Sequence, residues 1–428
     1  MKIFVLVIFI LTYVGIITFP NRKPFIAGGA ALLSAGGCAI FGLIGFAEIF
    51  NAIDFNVVLM LLGIMVTVSA FSYSEMPDFI ADKLIAKVPN TLCAVVLLSV
   101  LSGFISAFID NVATVLMLAP IGIAVATKTK VSPIPVIISI AVSSNLQGAA
   151  TLVGDTTSIM LGSFADMSFF DFFFLNGKFS IFWAVELGAV LTIPVIAVIF
   201  RKHREKLVYV SENIKVKSVV PTILLLVNII VLIVVSIFKD KPAITNGLVC
   251  IVFAVASFIF TAVNYKKDGL KSTAKEIDYS TVLFLVFLFI IIATVERVGI
   301  INDISEIFGR LGNKNVFLLY TVIVFGSVVC SAFIDNIPFV ATMLPVIRAL
   351  TLSLPAVSPY LLYFGLLVGA TLGGNLTPVG ASANVVGIGI LNKAGYKVKN
   401  SDFFKIGIPF TLVAVFGGYI FCWLVWGI

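Results

Sequence analysis

Apolar runs of about twenty residues, separated by short charged or Gly/Pro-bearing stretches, fill the chain from end to end. Each is long enough to cross the ~30 Å hydrocarbon core of a bilayer as a helix. None alternates with the period of two that marks a barrel strand. The pattern predicts spans over 3–19, 24–47, 55–73, 134–163 and 179–200, then over 219–238, 243–264, 279–296, 360–391 and 408–426. Two further apolar segments, 91–127 and 315–350, are interrupted only by Asp-Asn and predict re-entrant hairpins or pairs of full spans. Gly and polar residues interrupt the helices at 134–163 and 360–391, and residues 76–88 read as a short amphipathic helix at the interface.

The chain also repeats itself. Lys23-Pro24-Phe25-Ile26 matches Lys241-Pro242-Ala243-Ile244, and Ile53-Asp54-Phe55 matches Ile277-Asp278-Tyr279. Ser-Ala-Phe-Ile-Asp-Asn at 106–111 recurs letter for letter at 331–336. The expected organisation is one repeat over 1–205, a basic cytoplasmic linker over 206–218 and a second repeat over 219–428, each with five spans and one hairpin. The first apolar run pairs with 219–238, so it reads as a span and not as a signal peptide. Five crossings per repeat is an odd number, which inverts one repeat relative to the other. With both termini outside, most of the 28 basic residues fall in cytoplasmic loops, as the positive-inside rule requires.

Composition narrows the function. Only 11% of residues are charged and the mean hydropathy is +1.17, which excludes most soluble enzymes. The net charge of +7 sits in short loops, so it reads as topology and not as a nucleic-acid surface. Five Cys without CxxC spacing suggest neither a disulfide framework nor zinc, and the single His203 lies in a basic run that reads as solvated.

Acids inside apolar segments are costly and point to function. Asp110 and Asp335 are symmetry mates at the hairpin tips, followed by Asn111 and Asn336. Asp155 has no mate, because Ala381 stands at the matching position. Around it, Ser144, Asn145, Thr151 and Thr156 interrupt one broken span, while Asn375, Thr377, Ser382 and Asn384 interrupt the other. These thirteen residues are the candidate ion and substrate ligands. Sodium is expected at Asp110, Asn145, Asp155, Asp335 and Asn375. The competing role for Asp110, Asp155 and Asp335 is to cap the half-helix that follows each. Asp54 and Asp278 open spans and read as caps, Glu296-Arg297 reads as a local pair, Glu186 reads as reaching the interface, and the Phe-rich stretch 169–174 reads as an interfacial anchor.

At these motifs (residues 108–114, 148–155, 333–338 and 373–384) the sequence resembles the ArsB/NhaD group of the ion transporter superfamily, with its citrate-transporter-like domain, and most of all its P-protein branch. The resemblance covers almost the whole chain. It implies ten spans plus two re-entrant hairpins, a homodimer in the cell membrane, and an elevator motion of the hairpins and broken helices against a scaffold. No cofactor is implied beyond a coupling ion, H⁺ or Na⁺. Dicarboxylate carriers of this fold carry Ser-Asn-Thr at both tips, whereas here Asp110-Asn111-Val112 and Asp335-Asn336-Ile337 stand there. Two carboxylates repel a dianion, and no Arg or Lys lies within the broken spans to compensate.

The expected function is therefore secondary active transport of a small inorganic anion or metalloid species, coupled to protons or sodium. Sodium/proton antiport is the alternative, with a citrate-type permease behind it. An intramembrane aspartyl dyad from Asp110 and Asp335 would make an enzyme, but the Gly-x-Gly-Asp signature is absent. A channel is disfavoured because the polarity gathers at an internal repeat interface.

Overall fold

The computed structural model describes residues 1–207, 214–238 and 240–428, so part of the expected linker lies outside the described residues. The first half of the chain runs through α1 (Lys2–Thr18), α2 (Lys23–Ile40), the short α3 (Phe46–Asn51), α4 (Phe55–Tyr73) and α5 (Met76–Ile85). The first hairpin follows as α6 (Thr91–Ser106) and α7 (Asn111–Lys128). The broken span is α8 (Pro133–Gln147) with α9 (Thr156–Phe164). A small β-hairpin, β1 (Phe174–Leu175) with β2 (Lys178–Phe179), leads to α10 (Ile181–Ile199).

The second half repeats the order: α11 (Val220–Val235), α12 (Thr245–Asn264), α13 (Lys266–Glu276), α14 (Tyr279–Arg297) and α15 (Ile300–Gly312). Next come the hairpin helices α16 (Val316–Phe333) and α17 (Asn336–Ser353). The second broken span is α18 (Pro359–Leu367), a π turn (Val368–Leu372), a 3₁₀ turn (Gly374–Leu376) and α19 (Ser382–Lys393), before the closing α20 (Asn400–Trp426).

The chain is an all-helical, multi-pass membrane protein: ten helical segments among the described residues are long and apolar enough to cross a bilayer. They are not the same ten that hydropathy suggests. The hairpin arms α7, α16 and α17 qualify, whereas α1, α8 and α11, at 17, 15 and 16 residues, are shorter. Helix α2 stops at Ile40, not 47, because Gly42 takes a positive φ of 67° and α3 restarts with Glu48 accepting from the Gly45 N–H. Helix α20 begins eight residues earlier than expected, where the Asp402 carboxylate accepts from the Lys399 N–H and caps two extra turns. Glu296 and Arg297 do not form a local pair: Arg297 reaches Glu48 at 3.8 Å and the Leu43 carbonyl at 2.6 Å.

The halves interlock. Helix α2 packs along α14, and α12 along α4. In the first pair Gly28 lies against Phe287 and Leu43 against Arg297, so the helices run in the same direction. In the second, Asn56 accepts from the Gly247 N–H at 2.8 Å, and the Tyr73 ring packs at a tilt against Tyr265 farther along. The hairpins and broken spans pack beside this frame, and α8 is buried along nearly its whole length. Outer faces such as Val190, Val198, Leu226, Ile230, Val252 and Val255 stay exposed and apolar, as a lipid-facing surface requires.

Candidate functional site

Four half-helices, α7, α9, α17 and α19, begin where the hairpin tips meet the broken spans. Backbone N–H groups at such ends lack intrahelical partners, and three of the four are capped by an acid. Asp110 accepts from Val112 at 3.0 Å and Ala113 at 3.3 Å. Asp335 accepts from Ile337 at 3.2 Å. Asp155 accepts from the Thr156 N–H at 2.7 Å. Its second oxygen takes the Thr157 hydroxyl at 3.0 Å and the Asn336 amide at 3.2 Å, so one hairpin tip is tied to the other half's broken helix. The fourth end, at Ala381, has no side-chain cap. Asp54 and Asp278 also cap, accepting from Val57 and Thr281.

At the centre two asparagines face each other. The Asn145 amide donates to Asn375 Oδ1 at 3.1 Å and to the Thr371 carbonyl at 2.7 Å, while Asn375 donates to the Val142 carbonyl at 2.8 Å. Asn111 donates to Asn145 Oδ1 at 3.0 Å. Thr151 and Thr377 donate to the Ala107 and Ala332 carbonyls at the hairpin turns, and Ser144 donates to the Asn111 carbonyl at 2.9 Å. These side chains hold backbone that helices cannot satisfy. Close approach completes the joint: a Cβ on Gly154 would lie 2.7 Å from the Gly148 oxygen, and one on Gly380 would lie 2.6 Å from the Gly374 oxygen. Asn384 donates to the Gly374 and Thr377 carbonyls, and its own Oδ1 is buried without a hydrogen-bond partner among the described residues.

A cavity of about 570 Å³ opens at one end of the frame, between the starts of α4 and the end of α14; it stops at Met160 and Ala341 and touches none of the candidate ligands. A second, of about 780 Å³, lies at the opposite end and reaches Asp110, Asn111, Asp155, Thr156, Asn336 and Ser382. Its wall includes Ile64 to Ser72 of α4 on one side and Val112 to Pro120 of α7 on the other, with Lys275 and Lys393 at the helix ends. Asp78 on α5 also lines it, and burial pushes its carboxyl up to about 6.

The thirteen candidates thus divide. Six line the larger cavity; Asn145 and Asn375 lie in the network behind it; Ser144, Thr151 and Thr377 hold the hairpin turns; Asn384 is buried in the second break. Asp335 stands apart, because Lys23 forms an ion pair with it; the two side chains are 23% and 12% exposed. Of the five residues expected at sodium, Asp110 and Asp155 line the larger cavity, Asn145 and Asn375 hydrogen-bond to each other behind it, and Asp335 is paired with Lys23. Lys23 is what sequence reasoning missed. It looked like loop charge, yet it lies outside the broken spans and still neutralises a tip acid. The signal was present: Lys-Pro-x-Ile recurs in both halves at the same place. Tyr13 of α1 was also missed; its hydroxyl contacts the Pro338 carbonyl at 2.7 Å and Thr342 at 2.6 Å on α17.

Residues 6–369 match the sequence profile of CitMHS, described as citrate transporter. The chain is 29% identical to a 46 kDa membrane protein of Mycobacterium leprae over 99% of both chains, and 28% identical to an uncharacterised transporter of Mycobacterium tuberculosis with the same coverage. It is 25% identical to the P protein of Sus scrofa, over 91% of this chain and 56% of that protein. Two solved structures share the fold at 14% identity. The YdaH transporter of Alcanivorax borkumensis gives a TM-score of 0.57 over 91% of this chain and 87% of its own; MtrF of Neisseria gonorrhoeae gives 0.58 over 92% and 84%.

Proposed function

The chain belongs to the citrate transporter family and is a membrane transporter, not an enzyme; from that premise we propose that it is a secondary active ion transporter of the cytoplasmic membrane. It moves a small inorganic anion or metalloid species coupled to a proton or sodium gradient. The hairpins and broken helices travel as an elevator against the frame of α2, α4, α12 and α14, in each copy of a homodimer whose termini face outside.

One observation carries this: access to the polar cluster is one-sided. The larger cavity reaches Asp110 and Asp155 from the end that carries Lys275 and Lys393, which we read as cytoplasmic, while the opposite cavity ends short of them. Such a site serves one side at a time, which is the requirement for coupled transport. Asp110 and Asp155 take the coupling cation. The anion goes to the α19 N-terminus at Ala381 and Ser382, whose N–H groups have no side-chain cap.

A sodium/proton antiporter is the second reading, favoured by Asp110 and Asp155, the two carboxylates that face the cavity from the starts of the half-helices. Proteoliposomes with a trapped pH dye separate the two. Proton movement driven by a sodium or lithium gradient alone, and lost in Asp155→Asn, would make the protein an antiporter. A response only after adding arsenite, silicate, phosphate, chloride or citrate would identify a coupled permease and its cargo. Wild-type behaviour of Asp110→Asn and Asp155→Asn in whichever assay responds would reduce both acids to helix caps.

A further inference from the structure

The two Lys-Pro-x-Ile motifs occupy matching places with opposite surroundings. Lys23 is the first residue of α2, beside the start of α14, at the end where the larger cavity opens. Asp278 and Thr281 at the start of α14 line that cavity. Lys241 precedes α12, beside the start of α4, at the other end: Asp54 to Val57 of α4 and Ala243 and Ile244 next to Lys241 line the smaller cavity. Lys23 holds Asp335 across the repeat boundary. Lys241 donates only to the Val235 carbonyl at 3.3 Å, and among the described residues no carboxylate lies within ion-pair distance of it. Asp110, the symmetry mate of Asp335, likewise has no basic partner among the described residues and faces the larger cavity. Local winding follows the pairing: the motif at Lys23 begins a helix, whereas the one at Lys241 is unwound ahead of Thr245.

We infer that Lys241 is the counterpart of Lys23: in the alternate orientation of this fold it pairs with Asp110, and Lys23 releases Asp335 to the opposite cavity. This rests on the transport function proposed above. An inverted repeat with two environments for one motif has a second arrangement in which the environments are exchanged, and the exchange carries the hairpin tips from the level of Lys23 to that of Lys241. In each orientation one tip acid is neutralised by a frame lysine and the other is free toward one side of the membrane. The two lysines are thus positioning residues for transport: each holds the hairpin that is not exposed, and neither touches the ion.

The test reads orientation without needing a cargo. Met65 lines the larger cavity, so Met65→Cys, in a chain whose five native cysteines are replaced by Ala, is labelled in membranes by a water-soluble maleimide when that cavity is open. Lys23→Gln is expected to slow labelling, and Lys241→Gln to speed it, each by about threefold or more. Arg at either position is expected to restore the parent rate, which a folding defect would not allow. A Lys241→Gln rate equal to the parent's, or shifted in the same direction as Lys23→Gln, would overturn the inference. Opposed shifts together with inactive liposomes would leave the paired lysines standing and count against the proposed ions instead.

Discussion

The surroundings of Asp110 and Asp335 differ although the six residues leading through them are identical. Both acids cap a half-helix, and in both halves a threonine holds the hairpin turn by its carbonyl. Beyond that the halves diverge. Helix α17 packs on α14 and is tied to α1 through Tyr13, with Asp335 closed by Lys23. Helix α7 stands away from α4 across the large cavity, leaving Asp110 facing it. The difference teaches that the motif encodes a tip and a cap, while charge state and access come from where the frame meets that tip.

The strongest way to break this contrast is to remove the charge that closes one side. Lys23→Met leaves a mostly enclosed Asp335 without a partner; breaking a fully buried pair costs about 3–5 kcal/mol, and the partial exposure of this one puts the loss at the lower end of that range. Thermal unfolding in detergent should show a large loss, mostly restored in the double variant with Asp335→Asn; equal destabilisation in the double variant would deny the pair. Next in size is Asp155→Asn. Removing the charge proposed to hold the coupling ion should cost about 2–5 kcal/mol of binding, roughly a 30-fold or greater rise in that ion's half-saturating concentration. Transport titrations in liposomes measure it, and an unchanged value would return Asp155 to a capping role.

Where the halves are alike, paired substitutions should hurt alike. Gly154→Ala and Gly380→Ala each push a methyl group against a carbonyl oxygen, so both should lose about 1–3 kcal/mol. A large effect in only one would show that the two breaks are not equivalent. Tyr13 has no hydroxyl counterpart, since Val231 stands at the matching position. Tyr13→Phe removes hydrogen bonds worth about 1 kcal/mol and should shift orientation roughly fivefold toward the opposite opening, read by labelling of Met65→Cys. The smallest effect belongs to Asp78 at the mouth of the open cavity. Its carboxyl is raised to about 6 by burial, so the folded protein binds its proton more tightly than the unfolded chain does. That contribution is present at pH below about 4 and is lost as pH rises through 6. Asp78→Asn should therefore be more stable than wild type above pH 6 and equal to it below pH 4.

Much of the fold was legible because the bilayer leaves few solutions. Twenty-residue apolar runs must be helices, and Gly, Pro and Asn in such runs must interrupt them where protein, not lipid, surrounds the backbone. The caps at Asp54, Asp278, Asp110 and Asp335 were equally local, since an Asp before a helix serves the N–H groups two or three residues on, and Asp155 serves the next N–H along, that of Thr156. Less legible was the division of labour within the site. Thr151, Thr377 and Ser144 share the polarity of the residues that line the cavity but donate to hairpin carbonyls, and composition cannot tell an occupied hydroxyl from a free one.

The sequence alone determined a membrane protein of two related halves, with a broken helix and an acid-tipped hairpin in each, because hydropathy, helix capping and self-similarity act over short distances. Only the tertiary structure decided that Lys23 neutralises Asp335, that Asn145 meets Asn375, and that Asp110 faces a cavity while its identical mate does not. Those outcomes depend on contacts between residues more than two hundred positions apart, and they depend on which of two near-symmetric packings the frame and the hairpins adopt. Identical motifs cannot encode that choice. The non-identical residues around them, Tyr13 without a partner hydroxyl and Asp155 opposite Ala381, do.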